Sequence, residues 1–216
     1  MKPLHMKPHK ERELLITFCG LDGCGKSTMI RMLREELERR GKCVLVTKQP
    51  TDAMRQTNIF RTYMDLKDHS KYEYRALSLM AAADRIQHSN QVILPALGEG
   101  FTVISDRYFY SCLANLRARG YEQDEWIYEI ARDIPHPDYA FFLDASVDTA
   151  VSRVRKRAEE KDRYIDMDLQ YRLRDEYRNI CKENDGILLS SEHSPEETFS
   201  EVFMYLEHKF GGNDYE

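Results

Sequence analysis

The sequence predicts an α/β domain in which a five-stranded parallel sheet carries helices on both faces and a short lid. Three observations lead there: five short apolar runs are spaced along the chain, segments of helical period fill the intervals, and a glycine-rich turn joins the first run to the first helical segment. Strands alternating with helices assemble into parallel sheets through right-handed crossovers.

The first run, LLITFC (14 to 19), is apolar on successive residues, as a strand covered on both faces must be. The helical segment from Ser27 to Arg40 stops at Gly41, a residue suited to ending a helix. CVLVTK (43 to 48) is the second strand, and a long helix is expected over Tyr72 to Leu97. FTVISD (101 to 106) is the third strand, with a helix at about 123 to 132 after it, and YAFFLD (139 to 144) is the fourth. Helices at about 147 to 159 and 168 to 184 precede the fifth strand, GILLSS (186 to 191), and a last helix covers about 196 to 209.

A chain of 216 residues suits one well-buried domain. Residues 1 to 12 read as a flexible basic arm, 13 to 210 as the domain with its lid at about 153 to 165, and 211 to 216 as a flexible tail. The 32 Lys+Arg nearly balance the 37 Asp+Glu, leaving a net charge of −5. No global field therefore points to nucleic acid or a membrane, and any phosphate site must be local. The five cysteines form no metal-ligand spacing, and no apolar stretch approaches the roughly 20 residues needed to span a bilayer, so a cytoplasmic protein is expected.

In sheets of this kind ligands bind at the carboxyl ends of the strands. Gly20, Leu21, Asp22, Gly23, Cys24, Gly25, Lys26 and Ser27 follow the first strand and fit G-x-x-x-x-G-K-[ST], the loop of a P-loop NTPase fold. Glycines there let successive backbone N–H groups converge on a polyphosphate, and the next helix adds the positive end of its dipole. Gly20 to Thr28, Leu21 apart, are the candidate ATP-binding residues, with Lys26 expected at the β and γ phosphates and the Ser27 hydroxyl on magnesium. At the third strand's end Asp106 can orient a magnesium-bound water, and the planar donors of Arg107 match an acceptor phosphate.

Two further stretches complete the reading. RVRKRAEEKDR crowds Arg153, Arg155, Arg157 and Arg163 into a segment that loses apolar periodicity, as a lid delivering charge to a transferring phosphoryl group would. Arg85 lies in a helix rich in small residues around Ala81 to Ala83, where it either meets a base edge or pairs with Asp84; that helix suits packing against a second subunit. A guanine-reading NKxD is absent, and the chain is short for a motor, so a kinase for a small acceptor remains. The rivals are a kinase for another nucleotide-like acceptor and a non-catalytic ATP-binding subunit.

These pieces in this order resemble the thymidylate kinases over nearly the whole chain. FCGLDGCGKST is similar to that family's loop, TKQPTD to its TREPTD, AADRIQHSNQVILPAL to its AADRAQHVEEVILPAL, and VISDRYFYSCLA to its VVSDRYxxSxxA. The resemblance implies magnesium-dependent transfer from ATP to a nucleoside monophosphate, dTMP first, by a homodimer. It implies an acceptor side made of Asp22 at the 3′-hydroxyl, Lys48 in place of the family's arginine, Arg85 at the base, Arg107 at the phosphate, and Ser111. It also implies Lys26, Arg107 and the arginines of the lid run as catalytic groups, with Ser27 and Asp106 at the metal. Two positions depart from the pattern: Ala81 stands where the family stacks a phenylalanine on thymine, and Asn115 where it carries an aromatic near the sugar's 2′ position. Tyr72, Tyr74, Phe109 and Tyr110 are candidate rings to replace the first.

Overall fold

The computed structural model describes residues 2–65, 72–161 and 164–210. Strand β1 (Leu15–Cys19) leads through the glycine-rich turn into α1 (Lys26–Arg39), followed by β2 (Val44–Lys48) and two short helices, α2 (Asp52–Arg55) and α3 (Asn58–Asp65). Helix α4 (Tyr74–His88) continues through one wide π turn (Ser89–Ile93) into α5 (Leu94–Gly98). Pro95 has no N–H to return to the preceding turn, and the widened turn ahead of it absorbs that loss. Then come β3 (Thr102–Asp106), α6 (Tyr110–Arg117), α7 (Trp126–Ala131), β4 (Tyr139–Asp144) and α8 (Val147–Arg155). A 3-10 turn (Ala158–Glu160), α9 (Met167–Glu183), β5 (Ile187–Ser190) and α10 (Pro195–Phe210) complete the chain.

All five strands are parallel, in the order β2-β3-β1-β4-β5. The inner strand β1 is buried along its whole length, whereas edge strand β2 is half-exposed, so an unbroken apolar run is needed only in the middle of the sheet. Helices α1 and α10 pack together, while α4, α6 and α9 form a second packed group. Phe18 stacks on Phe141 with ring centroids 5.2 Å apart, and Tyr110 tilts against Phe142 at 5.3 Å. In the parallel register Lys48 lies beside Asp106, Phe18 beside Asp106, and Asp144 beside Ser190, so the strand ends share one edge of the sheet.

Two expectations are corrected. The N-terminal residues lie against the domain instead of forming a free arm: Leu4 and Met6 are buried, Lys7 N–H donates to Ile134 O (2.8 Å), His136 N–H to Lys7 O (2.7 Å), and Leu4 N–H to Asn184 Oδ1 (2.8 Å). Two apolar side chains spaced by two residues among charges are enough to seat an extended segment. The stretch after β3, given no element from its sequence, forms α6. Seven of its eight residues are buried, and a helix covered on nearly every side shows no amphipathic period. Its last residue, Arg117, is buried against Glu183 (2.9 Å) and the Tyr128 hydroxyl (2.7 Å), which locks α6 to α9 and α7. The tail 211 to 216 and Arg163 lie outside the described residues.

Candidate active site

The turn after β1 closes over the start of α8. Gly23 has φ +86°, and a Cβ there would lie 2.1 Å from Ala150 O, so this approach admits only glycine. The loop ends by capping α1, with Thr28 N–H bonded to Gly25 O (3.0 Å). Lys26 is buried and folds its Nζ back onto Leu21 O (2.7 Å) and Gly20 O (3.2 Å). Behind the loop, burial pushes the Cys19 thiol up to about 12 despite the pull of Arg107 and Lys26, so no thiolate competes with a bound anion.

This loop forms one wall of a cavity of about 760 Å³ at the carboxyl edge of the sheet. Lys26, Lys48, Arg55, Arg85, Arg107, Arg119, Arg153, Arg157 and Arg172 line it, against Asp22, Asp106, Glu160 and Asp166. In a chain of net charge −5 that excess of cations is local, and it suits the cavity to an anion. Gly23, Gly25, Ser27 and Thr28 line it too, as does Ser111, whereas Gly20 and Cys24 do not. Cys24 is fully buried, and its N–H donates to Leu21 O (3.3 Å) within the loop.

Arg107 is the best-held cation. Its φ of +67° is a left-handed conformation rare outside glycine, and it turns the side chain back beneath the loop. Nη1 donates to Gly20 O (3.2 Å) and to the Tyr177 hydroxyl (2.9 Å), and Nη2 donates to Asp22 Oδ1. Burial works against the guanidinium charge, but Tyr177, Asp22 and Asp106 outweigh it and raise its pKa well above the ordinary arginine value. Asp106 sits 3.6 Å from Lys48 through Oδ2, and its Oδ1 is buried without a hydrogen-bond partner among the described residues. A carboxylate oxygen left over in this way, in a cavity that also holds the Ser27 hydroxyl, fits the oxygen ligands of a magnesium ion.

Arg55, which sequence reasoning missed, comes from α2. Its Nε donates to Pro50 O (2.9 Å). Burial first and Arg107 second push its pKa down, opposed by Asp22 and Asp106. Two guanidiniums crowded at one wall are relieved by an anion between them. The only signal for α2 was the TD pair, because Thr51 caps it and its four residues are too short for any period.

The far end of the cavity holds Arg85. Asp84 accepts hydrogen bonds from Thr51 N–H (2.8 Å) and the Thr51 hydroxyl, so the two open readings of Arg85 resolve away from an Asp84 pair. Arg85 is buried, donates from Nη1 to Ala81 O (2.9 Å), and leaves Nε unpaired among the described residues. Among the candidate rings, Tyr74 lines the cavity, whereas Phe109 and Tyr110 are buried in the core and Tyr72 lies outside its lining. Phe60 and Tyr63, on α3, line it instead. Asn115 does not stand free: its Oδ1 accepts from Arg119 (2.7 Å) and its Nδ2 donates to Ser111 O (2.9 Å), while Arg119 lies 4.1 Å over the Tyr74 ring.

The basic run divides. Arg153 and Arg157 line the cavity, with Arg153 donating to Ser191 O (2.9 Å) and Arg157 paired with Glu160 (3.0 Å). Arg155 points elsewhere and donates to Lys161 O (2.5 Å), which corrects its expected place in the site. Residues two apart on a helix, as Arg153 and Arg155 are, face different ways, and Arg157 follows the end of α8 in extended backbone.

Residues 18–202 match the family model described as Thymidylate kinase. The probable thymidylate kinase of Pyrococcus horikoshii is 35% identical over 93% of this chain and 99% of that protein. The probable thymidylate kinase of Pyrococcus abyssi is 34% identical over 93% and 99%, and the thymidylate kinase of Acinetobacter baumannii 29% identical over 89% and 100%.

Proposed function

The chain belongs to the thymidylate kinase family, and from that premise we propose that this cavity transfers the γ-phosphoryl group of ATP to dTMP, giving ADP and dTDP. The observation that carries the reading is that the phosphate loop and the Arg55–Arg107 pair face one cavity, so two phosphate groups can meet inside it.

Phosphoryl transfer needs positioning and charge stabilisation more than covalent help from the protein. Lys26 leaves its loop carbonyls to hold the β and γ phosphates, while loop N–H groups and the end of α1 bear the rest. Ser27 and Asp106 would hold magnesium, which neutralises charge on the transferring phosphates when bound. Arg107, with Arg55 beside it, grips the acceptor phosphate, and Asp22 holds Arg107 while facing the sugar. Lys48 balances Asp106, Ser111 supports the acceptor side, and Arg85 offers its donors to a base carbonyl. Arg153, in the last turn of α8, and Arg157, just past it, stabilise charge as it develops and close the site toward water.

The acceptor end favours a tolerant enzyme. Ala81 leaves space between Arg85 and the rings of Tyr74, Tyr63 and Phe60, and Asn115, whose amide keeps one N–H and one lone pair beyond its bonds to Ser111 and Arg119, stands where a bulky ring would exclude a 2′-hydroxyl. The test is ADP release measured with dTMP, dUMP, UMP, dCMP, dGMP and AMP at fixed ATP and magnesium. Turnover is expected with dTMP and, more weakly, with dUMP or UMP. ATP binding without acceptor-dependent turnover would leave a non-catalytic subunit, and discrimination for dTMP above roughly a thousandfold would refute the tolerant acceptor end.

The working form in this proposal is a cytoplasmic homodimer. Leu79, Met80 and Val92 are exposed on the α4 region and Val46 on the neighbouring edge strand, an apolar surface suited to a second copy, and the free thiols suit a reducing compartment. No described helix is long and apolar enough to cross a membrane. Light scattering that gives a monomer mass at micromolar concentration would remove the dimer.

A further inference from the structure

We infer that Tyr177 is a positioning residue, whose hydroxyl sets the guanidinium of Arg107 at the acceptor phosphate and ties it to helix α9. The inference rests on the acceptor role given to Arg107 above.

Among the described residues, two of the three hydrogen-bond partners of the Arg107 guanidinium, Gly20 O and Asp22, belong to the phosphate loop, where ligands arrive and contacts exchange. The third is of another kind. Tyr177 comes from α9, is 4% exposed, and receives the guanidinium at 2.9 Å. Its hydroxyl lies 3.1 Å from Ser111 Oγ, to which it donates. Arginine can only donate, so the phenol's single proton is left for Ser111, and the chain Arg107 to Tyr177 to Ser111 has one direction. Burial raises the phenol's pKa and keeps that proton in place. Ser111 is itself fixed, its N–H bonded to Tyr108 O (3.0 Å) in the turn that starts α6.

A left-handed backbone at Arg107 gives the side chain its direction but not its final orientation, because a long side chain retains several rotamers. The hydroxyl removes that freedom. Leu169, Leu173 and Tyr177 recur every four residues and line the cavity, so one face of α9 runs from the cavity mouth down to Arg107. A shift of α9 at the mouth is therefore carried to the acceptor's phosphate grip.

The experiment is Tyr177→Phe, which keeps the buried ring and removes one oxygen. The KM for dTMP should rise about tenfold, as expected for one lost hydrogen bond to a charged group, with the KM for ATP changed less than about twofold. The melting temperature should stay within about 4 °C of wild type, since a buried ring is retained. Ser111→Ala, which frees the phenol to rotate, should raise the same KM to a smaller extent; because Ser111 itself lines the cavity, it serves in place of the first variant only through the same cycle, in which it too should add nothing to Arg107→Ala. The decisive readout is a double-mutant cycle: in an Arg107→Ala background Tyr177→Phe should add nothing to the loss in kcat/KM for dTMP. An unchanged acceptor KM in both single variants, or fully additive losses with Arg107→Ala, overturns the inference while leaving the acceptor reading intact. Wild-type protein without dTMP-dependent ADP release overturns both.

Discussion

Gly23→Ala and Gly25→Ala place the same methyl group on left-handed backbone two residues apart, and the structure assigns them unequal costs. Both positions carry large positive φ, +86° and +99°. An L-residue in left-handed backbone costs about 1 to 2 kcal/mol, which both variants share. At Gly25 the new Cβ would find only Ser191 Cβ at 3.9 Å, an ordinary contact. At Gly23 it would lie 2.1 Å from Ala150 O and 2.8 Å from Ala150 C, backbone atoms of α8 that cannot swing aside. Relief requires the loop and α8 to separate by roughly an ångström, and overpacking of that kind adds about 1 to 3 kcal/mol. With about 2 to 4 °C lost per kcal/mol in a domain of this size, Gly23→Ala should melt about 4 to 20 °C below wild type and Gly25→Ala about 2 to 8 °C below. Since a misplacement of about 1 Å can cost a hundredfold in rate, kcat/KM should fall by about that factor in Gly23→Ala. Thermal melts and ADP release on the two purified variants decide the matter. Melting temperatures within 1 °C of each other, or near wild-type turnover in Gly23→Ala, would refute the claim that the seat on α8 shapes the loop.

Lys26→Ala should leave a folded protein with little turnover, because the loop keeps its shape through glycines and backbone hydrogen bonds; ADP release at saturating ATP checks this. Arg153→Ala and Arg157→Ala should each lower kcat by about a hundredfold, about 3 kcal/mol as for a single lost donor at a developing charge, with little change in ATP affinity. Arg155→Ala should stay within about twofold, since that side chain does not face the cavity. Burial and Arg85 push the His88 pKa down against the pull of Asp84, so the ring enters the fold neutral. The unfolded chain then binds the extra proton, and stability should be complete above about pH 6.5 and decline as pH falls below it. His88→Gln should show a flatter melting temperature between pH 5 and 6.5; an equal slope in both proteins would remove His88 as the source.

The three inner strands were legible because burial on both faces leaves a continuous apolar run, the edge strands β2 and β5 because short apolar runs stand between helical segments, and the loop because its glycines and lysine serve a geometry as well as a ligand. Arg55, Phe60 and Tyr63 were not, because the four residues of α2 are too few to show a period and the eight of α3, although apolar at helical spacing, make only two turns that pack on α4 and not on the sheet. Tyr177 carries the right chemistry, but on an amphipathic helix its spacing is that of a core residue, and only the 2.9 Å contact with Arg107 separates the two roles. The basic run looked uniform as a string of letters. The end of α8 divides it: Arg153 and Arg155 project from different faces of the helix's last turn, and the extended backbone at Arg157, past the helix end, returns that side chain to the cavity. Beside Ala81 the cavity is lined by one ring the sequence offered, Tyr74 on the same helix, and by two it did not, Phe60 and Tyr63 from α3.

The carbonyl oxygen of Gly20 accepts from Lys26 and from Arg107, each at 3.2 Å. The cation proposed for the donor and the cation proposed for the acceptor thus lean on one atom. A phosphate that draws Lys26 away leaves that oxygen to Arg107 alone, and one that draws Arg107 away leaves it to Lys26. Occupancy at either end is then felt at the other without any movement of domains, and the coupling free energy must be the same in both directions. The affinity for ATP measured with and without acceptor, and for acceptor with and without a non-hydrolysable ATP analogue, should change by one common factor.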